Sequence, residues 1–184
     1  MATTHIKPGC DAATACRKFP KLAELIHYLD GLSGRADLRV LSDLLARTAV
    51  TRADIADACE FGQRSYRRNT IASSAYFELL ALCWRSGHCT PIHDHHGSSC
   101  AFRVVEGVGT EIRFEHTPSG QICPTHRLVM QPGYICAAED SDVHQVANLQ
   151  EAGRDLITLH IYSTPILAMH TYAGLSSPGA EQVC

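Results

Sequence analysis

Apolar residues recur at helical spacing in the first third of the chain and at strand spacing thereafter. Beyond Pro20, Leu22, Leu25, Ile26 and Leu29 fall on one stripe, and Leu38, Leu41, Leu44 and Leu45 repeat it after Gly31 and Gly34. Thr51-Arg52-Ala53-Asp54 has the form of a capping box and predicts a third short helix ending near Gly62. Residues 1–18 are polar without a period and read as an irregular lead-in. From Tyr66 onward, short runs rich in β-branched and aromatic residues predict strands over 66–71, 75–84, 100–106, 108–116, 126–131, 143–149 and 156–163. Gly107 and Gly109, Thr117-Pro118-Ser119-Gly120 and Gln131-Pro132-Gly133 supply turns. The expectation is a mainly β barrel or jelly roll with an N-terminal group of short α-helices. There is no internal repeat, so one domain over 1–184 is expected: a helical part at about 19–62, a barrel at about 66–172 and a loose tail at 173–184.

Composition narrows the function classes. The 184 residues are 45% hydrophobic and 19% charged, enough to bury one sizeable core and unlike a disordered chain. A formal net charge of −3 argues against a nucleic-acid partner. No stretch reaches the roughly 18–20 apolar residues of a membrane helix. Met1-Ala2-Thr3-Thr4-His5-Ile6-Lys7 lacks the apolar run of a secretory signal, which predicts a cytoplasmic protein.

Nine cysteines and eleven histidines are the unusual part of that composition. The cysteines are odd in number and form no CxxC pair, so neither a disulfide framework nor a structural zinc site follows. Most read as reduced thiols, several of them small buried hydrophobes. Among the histidines, His93-Asp94-His95 stands out. On a strand, residues two apart share a side, so two imidazoles converge on one point while Asp94 faces away. A lone histidine is more often structural, but this pair within a barrel-like pattern points to a metal. Imidazoles suit Fe, Zn, Cu or Ni and do not choose among them.

Gly87, His93, His95 and Gly107 fall in the register of the first motif of the cupin superfamily, with Cys100 where a Glu is usual. His144 and Asn148 match the end of the second motif, although its Pro-x-Gly is missing. Tyr66-Arg67-Arg68-Asn69, Leu82-Cys83-Trp84 and Leu159-His160-Ile161-Tyr162-Ser163 then narrow the resemblance to the cysteine dioxygenase family, over about residues 20–172. Thirteen Arg against three Lys suggest a bacterial-type member.

The resemblance implies a cupin jelly-roll β-barrel holding Fe(II) through His93, His95 and His144. It implies that Arg68 forks the carboxylate of L-cysteine, with Tyr66 assisting, and that Tyr162 places its hydroxyl near iron-bound substrate and O2. His160 would orient that hydroxyl, with Thr158 behind it and Trp84 packed nearby. Cys100 would form a thioether with Tyr162. The implied reaction adds both atoms of O2 to sulfur, giving cysteine sulfinic acid, in a protein expected to be a monomer. Tyr162-Ser163-Thr164-Pro165 departs from the family's Ser-Pro-Pro, which carries a cis peptide after Ser. Other readings are a dioxygenase for 3-mercaptopropionate, or for mercaptosuccinate with Arg64 or Arg67 as a second anchor, and a non-catalytic metal-binding cupin. His88, His96, His116, His126 and His170 are expected to be structural or exposed.

Overall fold

A computed structural model describes residues 11–94, 98–139, 143–166 and 169–172. Two elements of the expected helical part form because their leucine stripes have a surface to cover. Helix α2 (Ala23–Asp30) buries Leu25, Ile26 and Leu29, and α3 (Leu38–Arg47) buries Leu41, Leu44 and Leu45. Asp37 caps α3 by accepting from the Arg39 and Val40 backbone N–H groups at 2.8 and 3.1 Å. The capping box at Thr51 and Asp54 is present, but it opens a 3₁₀ segment, Arg52–Ala58, interrupted by non-helical angles at Ile55. The irregular lead-in is corrected in part: Asp11 caps a further helix, α1 (Ala12–Lys18), and residues 1–10 lie outside the described residues. The tail at 173–184 lies outside them too.

The described strands form two five-stranded antiparallel sheets. One has the order β1 (Arg67–Ser73), β2 (Glu78–Trp84), β9 (Leu156–Ser163), β4 (Ser99–Glu106), β7 (Ile135–Glu139). The other runs β10 (Thr171–Tyr172), β3 (Ile92–His93), β8 (Val143–Ala147), β5 (Gly109–His116), β6 (Ile122–Met130). This is a mainly β jelly roll in which the expected barrel takes the form of two sheets rather than a closed cylinder. Strand β7 was absent from the sequence pattern, and β6 begins four residues earlier than the pattern suggests.

The first sheet is buried on both faces, and the strand period assigns the faces. Leu79, Ala81 and Cys83 on β2, with Ile157, Leu159 and Ile161 on β9, pack with the leucines of α2 and α3. Leu80, Leu82 and Trp84, with Leu156 and Tyr162, belong to a second cluster on the opposite face, facing the other sheet. Thr158 and His160 alternate onto that inner face with Tyr162. The helices therefore close the back of the sheet, and replacing fully buried Leu25 by Ala would cost about 2–5 kcal/mol. Gly107, at φ +78°, turns β4 into β5, and a Cβ there would collide with the Asp155 carbonyl.

Candidate active site

Between the sheets lies a cavity of about 690 Å³, counting the part open to solvent. Arg68, Trp84, Cys100, His160 and Tyr162 line it from the first sheet, Tyr66 from the residue before β1, and His93 and His144 from the second sheet. Among the expected site residues, Thr158 stands behind that wall, and His95 lies outside the described residues.

His93 and His144 are register partners on β3 and β8, with ring centroids 4.7 Å apart and planes at 74°. His93 Nδ1 lies 2.8 Å from the Pro91 carbonyl oxygen, which can only accept. The proton is thus on Nδ1 and the Nε2 lone pair is left for a metal. Burial, reinforced by the neighbouring His144, pushes the His93 pKa down to about 4, so the ring is neutral at neutral pH. Neutral imidazoles on adjacent strands fit a divalent transition metal. Among the described residues no cluster of three metal-binding side chains occurs. Asp94 faces away, as the strand period requires: its carboxylate accepts from the Tyr172 hydroxyl at 2.6 Å and lies 3.3 Å from His170 Nδ1.

Across the cavity, a ladder of polar groups runs along β9. Trp84 Nε1–H donates to Thr158 Oγ1 at 3.0 Å, and Thr158 Oγ1 lies 2.9 Å from His160 Nε2. His160 Nδ1 lies 3.2 Å from the Tyr162 hydroxyl. When Nε2 accepts from Thr158, Nδ1–H donates to Tyr162 and the phenol proton is free to turn towards the cavity. The other tautomer takes that proton instead. Phe102 stacks on His160 at 4.9 Å and Tyr66 on Trp84 at 4.2 Å, so neither ring of the ladder is free to tilt. Burial holds the Tyr162 pKa well above its ordinary value, with the neighbouring Cys100 adding to the effect, so the phenol stays protonated. Cys100 is the register partner of Tyr162 across β4 and β9. The Ser163–Thr164 peptide bond is cis.

Arg68 sits on β1 with its guanidinium carbon 5.2 Å from the centre of the Tyr162 ring. It lines the cavity beside Tyr66 and lies 3.4 Å from a carboxylate oxygen of Glu78, whose side chain is 6% exposed. Sequence reasoning missed Glu78; its only signal was a charge on an otherwise apolar strand. It also missed Arg113, which lines the cavity beside Glu111, its Nε 3.3 Å from that carboxylate. Arg67 turns the other way and pairs with Glu60, while Arg64 is exposed outside the lining, so neither provides a second anchor. Of the remaining histidines, His88 accepts the Arg85 N–H, His170 meets Asp94, and His116 and His126 are exposed. His96 lies outside the described residues. The expectation of reduced cysteines holds at Cys16, Cys59, Cys83, Cys123 and Cys136, and fails at Cys89, which is disulfide-bonded.

A family model described as cysteine dioxygenase type I matches residues 14–174. The chain belongs to the cysteine dioxygenase type I family. Cysteine dioxygenase type 1 of Bos taurus is 27% identical to it over 157 residues, covering 82% of this chain and 78% of that protein. The Danio rerio protein of that name is 31% identical over 119 residues, or 61% and 58% of the two chains. An uncharacterized protein from Klebsiella pneumoniae with a double-stranded β-helix domain superposes with a TM-score of 0.50 at 12% identity. It covers 64% of this chain and 93% of that one, a likeness of fold alone. Family membership makes this chain a metal-dependent oxidoreductase of the dioxygenase class.

Proposed function

We propose that the protein oxidises the thiol of L-cysteine to cysteine sulfinic acid with dioxygen, using Fe(II) held by His93, His95 and His144. The iron supplies open coordination positions and the electron chemistry that dioxygen needs. The observation that carries the reading is the convergence of Arg68 and Tyr162 on the cavity that His93 and His144 line.

The chain's own residues bind and orient. Arg68 presents a planar fork that a carboxylate can meet with two parallel hydrogen bonds, and Tyr66 supports it. Tyr162, kept protonated by burial, offers a hydrogen-bond donor over the place where the sulfur would lie. His160, set by Thr158 and Trp84, decides where that donor points. The apolar rings of Phe102 and Trp84 keep bulk water from the sulfur. The overall change balances as a thiol plus O2 giving a sulfinate and one proton. A dicarboxylic thiol has less support, because Glu111 already offsets the charge of Arg113. The reading includes a monomer working in the cytoplasm without nucleic-acid or membrane partners.

Oxygen uptake and product analysis on iron-loaded protein test this with L-cysteine, 3-mercaptopropionate and mercaptosuccinate in parallel. One sulfinate per O2, with the highest kcat/KM for L-cysteine, is expected. Oxygen consumed without sulfinate, or thiol bound with no oxygen consumed, would overturn it.

A further inference from the structure

We infer that Arg35, Ser99 and Ser163, acting through the backbone of Ala36, form a brace that sets the separation of Cys100 and Tyr162. This rests on the proposed function, because it assigns positioning residues to the same site.

Cys100 and Tyr162 stand opposite each other one rung from the end of the β4–β9 ladder. Ser99 and Ser163 make the last rung: Ser99 is the first residue of β4 and Ser163 the last of β9. End rungs of a ladder open most easily, since no further pair holds them. Here a segment between α2 and α3 takes the place of the missing rung. The Ala36 N–H donates to Ser163 Oγ at 3.0 Å, and Ser99 Oγ donates to the Ala36 carbonyl at 3.3 Å. One peptide residue thus ties both strands together. Arg35 Nε donates to Ser99 Oγ at 2.8 Å, and Ser163 Oγ donates to the Tyr76 carbonyl at 2.8 Å. Both serines are fully buried, at 0% exposure, and their bonds to Ala36 are shielded from water.

The serines point to the helical side of the sheet, and Cys100 and Tyr162 to the cavity. The brace therefore fixes the pair from behind without entering the site. Opposite residues in such a ladder keep their Cβ atoms about 4.5–5.5 Å apart, a spacing a short thioether can span only if the rung stays closed. Thioether formation removes the Cys100 S–H hydrogen and one Tyr162 ring hydrogen and makes a C–S bond. The two electrons and two protons pass to dioxygen, the reaction's own co-substrate, giving hydrogen peroxide.

The test compares wild type with Arg35→Ala, Ser99→Ala and Arg35→Lys, each iron-loaded and taken through turnover in air. Intact mass reads the crosslinked fraction as a loss of two hydrogens, steady-state kinetics separate kcat from KM, and Tm monitors folding. Arg35 is exposed, so its replacement leaves the core intact. For Arg35→Ala and Ser99→Ala, the expected result is a crosslinked fraction cut by half or more. Their kcat falls several-fold to about tenfold, with KM for L-cysteine within a factor of about two. Arg35→Lys, which keeps one donor, recovers part of both. Variants that crosslink and turn over like wild type would overturn the brace, as would a wild type that turns over without ever crosslinking. Loss confined to Tm and KM would also overturn it. Wild type that makes no sulfinate from any thiol is the separate failure of the proposed function, and the mass readout judges the brace independently of the thiol oxidised.

Discussion

Trp84 and Thr158 meet across the β2–β9 pair through an indole N–H and a hydroxyl oxygen 3.0 Å apart, and neither side chain touches solvent. That bond is the fixed end of the ladder that finishes at Tyr162, so a residue behind the cavity wall governs a hydroxyl inside it. Replacing Thr158 by Val keeps the shape but strands the Trp84 N–H and the His160 Nε2 in an apolar setting. The loss should be about 1–3 kcal/mol in urea unfolding. Turnover should fall more than KM rises, because His160 is free to choose the wrong tautomer. Thr158→Ser should restore both. Unchanged kcat in Thr158→Val would show that the ladder has no part in orienting Tyr162.

Arg68 is tested by exchange for Lys. A point charge cannot reproduce two parallel bonds to a carboxylate, and the lost charge-assisted bond is worth about 1.5–3 kcal/mol. KM for L-cysteine should rise about ten- to a hundredfold, with a smaller change in kcat. Oxygen uptake with cysteamine, which lacks the carboxylate, should be indifferent to the exchange. An equal loss with both thiols would mean that Arg68 serves the fold or Tyr162 rather than the substrate.

The parts legible in the sequence are those in which period and chemistry coincide. On β9 an apolar run carries Thr158, His160 and Tyr162 at intervals of two, so pattern alone puts them on one face. The same rule turned Asp94 away from the cavity. Helix α1 was hidden because its residues are mostly small (Ala12, Ala13, Ala15, Cys16) and give no apolar stripe, although Asp11 is an N-cap. Strand β7 (Ile-Cys-Ala-Ala-Glu) has little β propensity and exists because β4 offers it an edge. Glu78 and Arg113 escaped for a different reason. A pattern reading sends charges outward, but Glu78 is buried against Arg68 from the neighbouring strand, and the partly exposed Arg113 is turned to the cavity by Glu111 two residues along its own strand.

Glu78 gives a pH signature. Burial raises its pKa above the ordinary 4.5, and the attraction of Arg68 only partly offsets this. Below that ordinary value the carboxyl is protonated in both folded and unfolded chains and costs nothing. As pH rises through it, the unfolded chain ionises first, so stability falls until the folded carboxyl ionises too, and the deficit then persists to neutral pH. Glu78→Gln removes this titration. Its Tm should match wild type near pH 4 and exceed it at pH 7, followed by thermal unfolding across that range. A difference that is flat with pH, or that favours wild type at pH 7, would mean the Arg68 pair outweighs the cost of burial.

The two-residue strand β3 carries His93 and is pinned from outside by Asp94. Its carboxylate takes the Tyr172 hydroxyl at 2.6 Å, its backbone N–H donates to the His170 carbonyl at 3.3 Å, and Thr171 is the register partner of His93. So short a strand has few ladder bonds of its own, and the direction of the His93 ring depends on this external tie. Asp94→Ala should therefore weaken divalent metal binding about tenfold, the scale typical of lost outer support to a ligand. Tyr172→Phe, which removes only the shortest bond, should weaken it less. Competition with a chelator, using Co(II) as a spectroscopic stand-in for iron, reads the affinity directly, and Tm of the metal-free protein separates it from general loosening. If Asp94→Ala binds Co(II) as tightly as wild type, the backbone ladders of β3 with β8 and β10 aim the ligands without help from the Asp94 carboxylate.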